Sequence, residues 1–263
     1  MAENADSVEA RWRELLTLGE IDDERRDRRI LSRLPGHPRC RFCHAPFKGL
    51  GSPIARWVFS RRPSNLNPNF CSICEDFTKS FMGGVEIELT ALFVDVRGST
   101  GLAENLSPTE FAGHMNHFFE TASEILIKSD AFIDKYVGDE VIALFVPGFA
   151  GPEYSRVAVD ASANLLTALS CDGPQGKSFS VGVGVHTGLA FMGAVGTKGG
   201  KSEITALGDV MNVAARLASA AGPGEALVSD ATIEAAELDA TVFERRDLRL
   251  KGREQGVRVC VLR

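Results

Sequence analysis

The chain has 263 residues, of which 44% are hydrophobic, and a formal net charge of −6. This length and apolar content favour a globular protein with one large domain, or a medium domain with an appendage. No apolar run approaches the roughly 18 residues of a membrane span. The start, MAENADSVEARWREL, is too charged for a secretory signal. We therefore expect a cytoplasmic protein that does not span a membrane.

Positive charge is concentrated near the N-terminus. Residues 24–62 contain eleven Arg or Lys and two acids, a net +9, so the rest of the chain carries −15. A solvated basic face is the simplest interpretation. Nucleic acid, an anionic surface or an acidic regulatory partner are the alternatives that such a segment leaves open.

The first 34 residues are predicted to form a helical arm. Val8, Trp12, Leu15 and Leu16 recur at helical spacing within residues 7–18. A second, charged helix is predicted from about Asp22 to Leu34, where Pro35 ends it.

Residues 35–84 are predicted to form a small metal-binding module. The stretch is rich in Pro, Gly, Asn and Arg and lacks apolar periodicity, so it needs a crosslink to become ordered. Two CxxC pairs, separated by 27 residues, can supply one tetrahedral four-sulfur site. The four candidate ligands are Cys40, Cys43, Cys71 and Cys74. Zinc is the default ion, and an iron–sulfur cluster uses the same four thiolates and stays open.

Three other residues of types that can bind metal are not expected to be ligands of the four-cysteine site. His44 follows the first pair, but four thiolates already complete the site. Cys171 and Cys260 are single cysteines, which we expect to be small buried side chains.

From residue 85 to residue 263 the pattern alternates between strands and helices. A strand, VEIELTALFVDV, ends at Asp95, and the capping box SPTE at 107–110 starts a long helix. AFIDKYVGDEVIALFV predicts a hairpin that turns near Gly138, and YSRVAVDASANLLTAL a second long helix. FSVGVGVHTGLAFMGAVG is predicted to be another hairpin, followed by a short helix in DVMNVAARLASA and small strands. This order predicts an α+β fold, an α/β sandwich with helices on one face of a mostly antiparallel sheet.

Two aspartates are predicted to meet at one end of this sheet. Asp95 precedes the small-residue loop VRGST, and Asp139 follows Gly138 at the hairpin turn. If the two strands pair, the carboxylates converge beside a loop that can hold a phosphate. Such hard oxygen ligands suit Mg²⁺ or Mn²⁺, although each aspartate alone is more often a strand-end cap or turn residue.

Four motifs, in this order and separation, resemble the class III nucleotidyl cyclases, which make cyclic AMP or cyclic GMP. They are LFVDVRGST, DKYVGDEVIALF, VGVGVHTGLAFMGAVG and TALGDVMNVAARLAS. The resemblance covers roughly residues 85–263 and implies the ferredoxin-like fold of that catalytic domain. It does not extend to the first 84 residues.

The resemblance implies a role for each matching residue. Asp95 and Asp139, helped by the carbonyl of Val96, would bind two Mg²⁺ or Mn²⁺ ions per site. Asn212 would orient the ribose, and Arg216 would stabilise the transition state. The residues that match the family's triphosphate-binding positions are Arg97, Gly98, Ser99, Thr100 and Lys251.

Base choice is implied by two further positions. Lys135 matches the lysine that donates to adenine, and Thr205 stands where many family members carry Asp. A threonine hydroxyl can accept from the adenine amine, so the pair predicts ATP as substrate and resembles the Thr-bearing bacterial adenylate cyclases.

Family cyclases form head-to-tail dimers in which each site takes its aspartates from one protomer and its base-reading residues from the other. The resemblance therefore implies a homodimer with two composite sites. Two other functions stay open at this point: a catalytically silent nucleotide sensor, and a nucleic-acid-binding metal module on a cyclase-like dimerisation domain.

Overall fold

The computed structural model describes residues 2–18, 24–64, 70–170, 178–197, 202–249 and 256–263. The chain divides into two compact units. The first unit comprises Met1–Ile87, Val146–Pro152 and Ala190–Leu207, and the second comprises Glu88–Phe145, Glu153–Leu189 and Gly208–Arg263. The domain boundaries expected after residues 34 and 84 stay predictions. No helix of the described part is long and apolar enough to cross a membrane.

The first unit begins with the predicted helical arm. Helix α1 (Ala2–Arg13) continues into a π-helical turn at Glu14–Leu18, and α2 spans Glu24–Arg33. Trp12, Leu15 and Leu16 are fully buried, as their helical spacing predicts. The indole of Trp12 donates to the carbonyl of Phe81 at 2.8 Å, which ties α1 to the end of the cysteine-rich segment.

The cysteine-rich segment of this unit contains α3 (Ser52–Trp57) and α4 (Ser72–Ser80). A short helix, α7 (Pro147–Ala150), packs against the π-helical turn. The unit also holds strand β5 (Ser202–Leu207), which pairs antiparallel with residues 191–196 of β4 (Val181–Gly196). Helix α4 packs against β5, and the hydroxyl of Ser202 lies 3.5 Å from that of Thr78.

The second unit is an α+β fold built on a sheet, which confirms the predicted fold class. Its other elements in the described residues are β1 (Gly83–Val96), which starts in the first unit, α5 (Ser99–Asn105), α6 (Pro108–Lys128), β2 (Phe132–Val137), β3 (Glu140–Phe145), α8 (Tyr154–Ser170), α9 (Asp209–Ala220), β6 (Glu225–Ser229), α10 (Asp230–Ala235), β7 (Glu244–Leu248) and β8 (Val257–Leu262). The described strands follow the order β2-β3-β1-β4-β6-β8-β7, and β4 and β6 pair in parallel.

The long helix α6 begins where the sequence predicts. Ser107 and Glu110 form a reciprocal capping box: the Ser107 amide donates to the Glu110 carboxylate at 3.0 Å, and the Glu110 amide donates to the Ser107 hydroxyl at 3.4 Å. Met115, Phe118 and Leu126 are buried along the predicted apolar face.

Helices cover both faces of the sheet, whereas the sequence predicted one. On β4, the hydroxyl of Thr187 bonds that of Thr90 at 2.8 Å, which in turn bonds Ser155 of α8 at 2.9 Å. Gly184 lies on the same strand, an odd number of residues from Thr187, and therefore on the opposite face. It lies against α9, because a Cβ there would be 2.2 Å from the Ala214 carbonyl oxygen. Since successive strand residues point to opposite faces, α8 and α9 lie on opposite sides of the sheet.

The hairpin predicted over FSVGVGVHTGLAFMGAVG is wrong. Residues 181–196 form one continuous strand, β4. Its glycines allow close approach and do not mark a turn: a Cβ on Gly184 would overlap the α9 backbone, and one on Gly182 would overlap the guanidinium of Arg97. A run of glycines that permits close packing and one that permits a turn look alike in sequence.

Candidate active site and metal centre

Asp95 and Asp139 meet at one end of the sheet, as the sequence predicts. Strands β1 and β3 pair antiparallel with Asp95 opposite Glu140. Gly138, with a left-handed φ of 63°, and Asp139 form the two-residue turn between β2 and β3. The amide of Val96 donates to the carbonyl of Asp139 at 3.3 Å, and the two carboxyl side chains are within hydrogen-bonding reach.

The carboxylates of this site repel one another in a partly buried setting. Burial raises the pKa of Asp95 to about 6; Arg97 opposes that rise, and the charge and hydrogen bond of Asp139 add to it. Burial, followed by the charges of Asp95 and Asp139, raises the pKa of Glu140 to about 7. Closely spaced carboxyl groups are stabilised by protons or by a cation. This group of carboxyls therefore fits a divalent cation such as Mg²⁺ or Mn²⁺.

Arg97 connects this carboxylate pair to helix α9. Its guanidinium Nη1 lies 3.3 Å from an Asp95 oxygen, and its Nη2 donates to the carbonyl of Ala218 in the last turn of α9. The side chain therefore points inward, although the resemblance assigned it to the triphosphate. The following loop is open toward the described part of the chain, because a Cβ on Gly98 or Gly101 would meet none of its atoms within 4 Å. Ser99 and Thr100 form the start of α5 beside this space.

Lys135, Asn212 and Arg216 lie on the same side of the sheet as Asp95. The hydroxyl of Tyr136 contacts Ser123 of α6 at 2.8 Å, so Lys135, its neighbour in β2, points to the opposite face. That face is the one covered by α9. The Lys135 ammonium lies 3.5 Å from the Asp134 carboxylate and is partly exposed.

Helix α9 presents its two predicted functional side chains to solvent. Asn212 is exposed and Arg216 is half-exposed, whereas Val213 and Leu217 pack on Leu227 of β6.

Thr205 belongs to the first unit, where it lies on β5 opposite Gly193 of β4. Its side chain is 7% exposed, yet the residues on the same face of the β4–β5 hairpin are not covered: Val195 is 38% and Leu207 is 52% exposed. The predicted base-reading threonine is therefore buried, and two apolar residues on the same face of the hairpin are exposed. Lys251 falls outside the described residues, as does Cys171.

The four cysteines of the two CxxC pairs converge in the first unit. All four are buried, and their sulfur atoms lie within 4.8 Å of one another, with the sulfurs of Cys43 and Cys71 3.7 Å apart. A single tetrahedral ion with metal–sulfur bonds of about 2.3 Å requires sulfurs about 3.8 Å apart. The spacing therefore fits one ion held by four thiolates.

The surroundings of the four sulfurs also suit a cation. Hydrogen bonding among the thiols, led by that with Cys40, lowers the pKa of Cys71 and raises the pKa values of Cys43 and Cys74. Buried thiols share protons in this way until a cation replaces the protons. The group of closely spaced ligand atoms in the described residues does not include His44, whose imidazole contacts the guanidinium of Arg28 at 3.2 Å.

Sequence reasoning missed Glu140, Arg61 and one contact of Arg97. Glu140 adds a third carboxyl to the aspartate pair, and its place beside Asp139 in GDEV could have indicated it. The triphosphate role of Arg97 stays a prediction, and no sequence signal indicates its contact with α9. Arg61 is buried with its guanidinium 3.9 Å from the Cys74 sulfur and 3.4 Å from the Asp27 carboxylate, where it can offset thiolate charge.

The described fold is of the α+β class, with paired carboxylates at a strand end and helix α9 on the same face of the sheet. Residues 86–262 match the profile of the family described as the Adenylate and Guanylate cyclase catalytic domain. The chain belongs to this family, the class III nucleotidyl cyclases.

Curated relatives and solved structures agree with this assignment. The chain is 33% identical to an adenylate cyclase of Anabaena cylindrica over 49% of its own length and 26% of that protein's. It is also 33% identical to adenylate cyclase 1 of Rhizobium meliloti (strain 1021), over 49% of its own length and 20% of that protein's. The chain therefore spans only about a quarter of these relatives.

Two cyclase structures are similar to the chain over most of their own length. The guanylyl cyclase Cya2 is 25% identical, with a TM-score of 0.62 over 68% of this chain and 93% of that one. The adenylyl cyclase CyaB from P. aeruginosa is 28% identical, with a TM-score of 0.59 over 68% and 95%. The similar structures therefore include enzymes for both purine nucleotides.

Proposed function

We propose that the protein is an adenylate cyclase that converts ATP into 3′,5′-cyclic AMP and pyrophosphate. The observation that carries this proposal is the convergence of Asp95 and Asp139 beside the open loop at Gly98. In the reaction the ribose 3′-oxygen bonds to the α-phosphorus, the bond from that phosphorus to the β-phosphate oxygen breaks, and the hydroxyl proton leaves.

Asp95 and Asp139, with the Val96 carbonyl, would hold two divalent cations per site, Mg²⁺ or Mn²⁺. When bound, these ions activate the attacking oxygen and neutralise charge on the phosphates. Arg97 holds the Asp95 carboxylate in place through its ion pair and anchors it to α9. The amides and hydroxyls of Ser99 and Thr100 bind the triphosphate in the open loop, with Lys251 as a further cation.

Asn212 and Arg216 act together because they lie one turn apart on α9. Asn212 orients the ribose, and Arg216 stabilises charge that develops on the phosphate in the transition state. The partial exposure of Arg216 on α9 supports this role, since its guanidinium can reach a substrate from there.

Lys135 and Thr205 select adenine over guanine. A lysine can only donate hydrogen bonds, which suits the N1 acceptor of adenine, and a hydroxyl can accept from the exocyclic amine. Guanine carries a donor at N1 and a carbonyl in place of the amine, so the same pair mismatches it. The naming of two curated relatives as adenylate cyclases supports this choice.

The active form is a homodimer with two composite sites. The exposed side chains of Val195 and Leu207, which share a face of the β4–β5 hairpin with the buried Thr205, support burial against a second protomer. Lys135 and Asp139 then serve different sites, although they lie four residues apart in the chain.

The four-cysteine site binds zinc in this proposal. The sulfur spacing supports one tetrahedral ion, because in a four-iron cluster each sulfur binds a different iron and the sulfurs must be farther apart. The ion stabilises a segment that has little apolar core of its own.

The experiment is a product assay with purified protein, Mn²⁺ and either ATP or GTP. We expect cyclic AMP from ATP, and a loss of at least about a hundredfold in Asp139→Asn, which keeps the shape of the side chain and removes its charge. Size-exclusion chromatography should show that the variant keeps the oligomeric state of the wild type. Wild-type protein that binds ATP and forms no cyclic nucleotide would instead make this chain a nucleotide sensor, and cyclic GMP as the main product would overturn the base assignment.

A further inference from the structure

Helix α3 of the first unit exposes the apolar side that a short helix normally buries. Leu50, Ile54, Trp57 and Val58 are 87%, 43%, 75% and 71% exposed. Their spacing of four, three and one residues places them along one side of α3 and the turn that precedes it. We call this set the α3 face.

The opposite side of α3 is the one that packs into the protein. Ala55 is fully buried, and a Cβ on Gly51 would lie 2.5 Å from the Pro35 carbonyl oxygen and 2.7 Å from the Leu34 side chain. The helix is therefore fixed by its small residues against the end of α2. Its large apolar residues are left in water, and the fold of the protomer does not need them there.

The segment that contains the α3 face is rich in exposed cations. In the described stretch 26–64, the exposed charged side chains are Arg26, Arg29, Arg33, Lys48, Arg56 and Arg62. The one acid of that stretch, Asp27, is only partly exposed and pairs with the buried Arg61 at 3.4 Å. The Arg56 guanidinium lies 6.0 Å from the Trp57 ring, so charge and apolar surface are adjacent on this helix.

We propose that the α3 face docks the protein on an anionic membrane surface. Exposed Trp and aliphatic residues flanked by Arg and Lys are the combination that enters the boundary between lipid headgroups and acyl chains. The exposed charges of the stretch 26–64 are positive, and Arg56 lies beside Trp57, which complements the diffuse negative charge of anionic lipids.

Other occupants fit the α3 face less well. Nucleic acid would engage the cations and Trp57, but Leu50, Ile54 and Val58 have no aromatic face on which a base can stack. A second copy of the chain would bring an equally basic surface to this one, and like charges would oppose the contact. The proposal does not depend on the nucleotide chemistry of the second unit.

The experiment measures binding of the full chain to lipid vesicles. We expect co-sedimentation with vesicles of phosphatidylcholine that also contain anionic phosphatidylglycerol, little with phosphatidylcholine alone, and release as the salt concentration rises. The chain has two tryptophans, and Trp12 is fully buried whereas Trp57 is 75% exposed. Binding should therefore shift tryptophan emission to shorter wavelength, and Trp57→Phe should remove that shift while most of the sedimentation remains.

Matched variants test whether vesicle binding depends on the α3 face or on surface charge and apolar exposure in general. Val58→Ser should reduce binding, whereas Val242→Ser, at an equally exposed valine (71%) in the second unit, should not. Arg56→Gln should weaken binding about fivefold, whereas Arg156→Gln, at an exposed arginine of α8, should leave it unchanged.

Three results would overturn the proposal. They are equal binding to neutral and anionic vesicles, sedimentation that survives Val58→Ser combined with Arg56→Gln, and tight salt-sensitive binding of duplex DNA or RNA with no vesicle binding. Cyclic AMP production by each variant reports separately on the proposed catalytic function, so failure of one proposal is distinguishable from failure of the other.

Discussion

At the scale of single residues, the active-site end of the sheet is defined by three carboxyls and one arginine. Asp95, Asp139 and Glu140 crowd together because β1 and β3 pair in a register that sets Asp95 opposite Glu140. Arg97 provides the nearby positive charge. The strand-end positions of the aspartates allowed their meeting to be predicted from sequence. Glu140 and the inward path of Arg97 depend on strand register and helix placement, which the sequence does not display.

Burial of these carboxyls, together with their crowding, should make the stability of the metal-free protein depend on pH. In the folded protein the pKa of Asp95 is raised from 3.8 to about 6 and that of Glu140 from 4.5 to about 7. A raised carboxyl pKa means that folding favours the protonated form, so the free energy of unfolding falls as pH rises through this window. Bound Mn²⁺ replaces the protons, and its stabilising effect should grow over the same window.

We expect the rise in Tm caused by Mn²⁺ to be larger at about pH 8 than at about pH 5. Glu140→Gln should raise the Tm of the metal-free protein at the higher pH. The Tm of this variant should then vary with pH only over the interval in which Asp95 titrates. Glu104→Gln, at an exposed carboxylate of α5, serves as the control and should change neither. The measurement is thermal unfolding with Mn²⁺ or with a chelator across this pH range, and an Mn²⁺ effect that does not vary with pH would contradict the prediction.

At the scale of secondary-structure elements, a sequence pattern predicted the structure correctly where only one kind of structure produces that pattern. Helix α6 follows from its capping box and apolar face, and the β2–β3 hairpin follows from Gly138 at its turn. Strand β4 was predicted wrongly because the close packing of Gly184 against α9 gives the same glycine signal as a turn. That packing involves residues 30 positions apart, which no local pattern contains.

Helix α4 connects the four-cysteine site to strand β5 of the first unit. Helix α4 starts directly after Cys71, contains Cys74, and packs against β5, the strand that carries Thr205. Loss of the ion should therefore loosen α4 and, through it, the hairpin that we propose for base reading and dimerisation.

We expect Cys40→Ser to lose the bound zinc, lower the Tm and reduce cyclase activity. The reason is that metal binding contributes folding free energy on the order of 10 kcal/mol to a segment without a large apolar core. Cys260→Ser is the matched control, since Cys260 is also buried but lies on β8, away from the four sulfurs. The measurements are metal analysis, thermal unfolding and limited proteolysis within residues 35–84. Unchanged stability after loss of the metal would contradict the structural role. Iron in the metal analysis, together with visible absorption, would show that the site holds an iron–sulfur cluster and not zinc.

At the scale of the whole molecule, sequence motifs predicted the family and the domain, but a single chain cannot reveal a site that two chains share. The second unit brings Lys135, Asp95 and α9 to one face of the sheet, while Thr205 lies on the hairpin of the first unit. In the proposed homodimer, the way the two chains pair decides which protomer supplies which residue to a given nucleotide. The allocation proposed here therefore requires an experiment that mixes protomers.

The composite-site proposal predicts complementation between two inactive variants. Lys135→Ala lacks the base-reading lysine, and Asp139→Ala lacks a metal ligand, so each homodimer should be nearly inactive for a different reason. A mixed dimer gathers both lesions in one site and leaves the other intact, because the intact site takes its aspartates from the lysine variant and its lysine from the aspartate variant.

Random pairing makes about half of the dimers mixed, each with one intact site of two, so activity should recover to roughly a quarter of wild type. Exchange of subunits is verified by capturing one tagged variant and detecting the other. Combining two differently tagged samples of Asp139→Ala provides the control, because every site then lacks a ligand and no activity should return. If exchange occurs and the mixture of the two variants stays at background, Lys135 and Asp139 act within one site, and the division of the site between protomers is wrong for this protein.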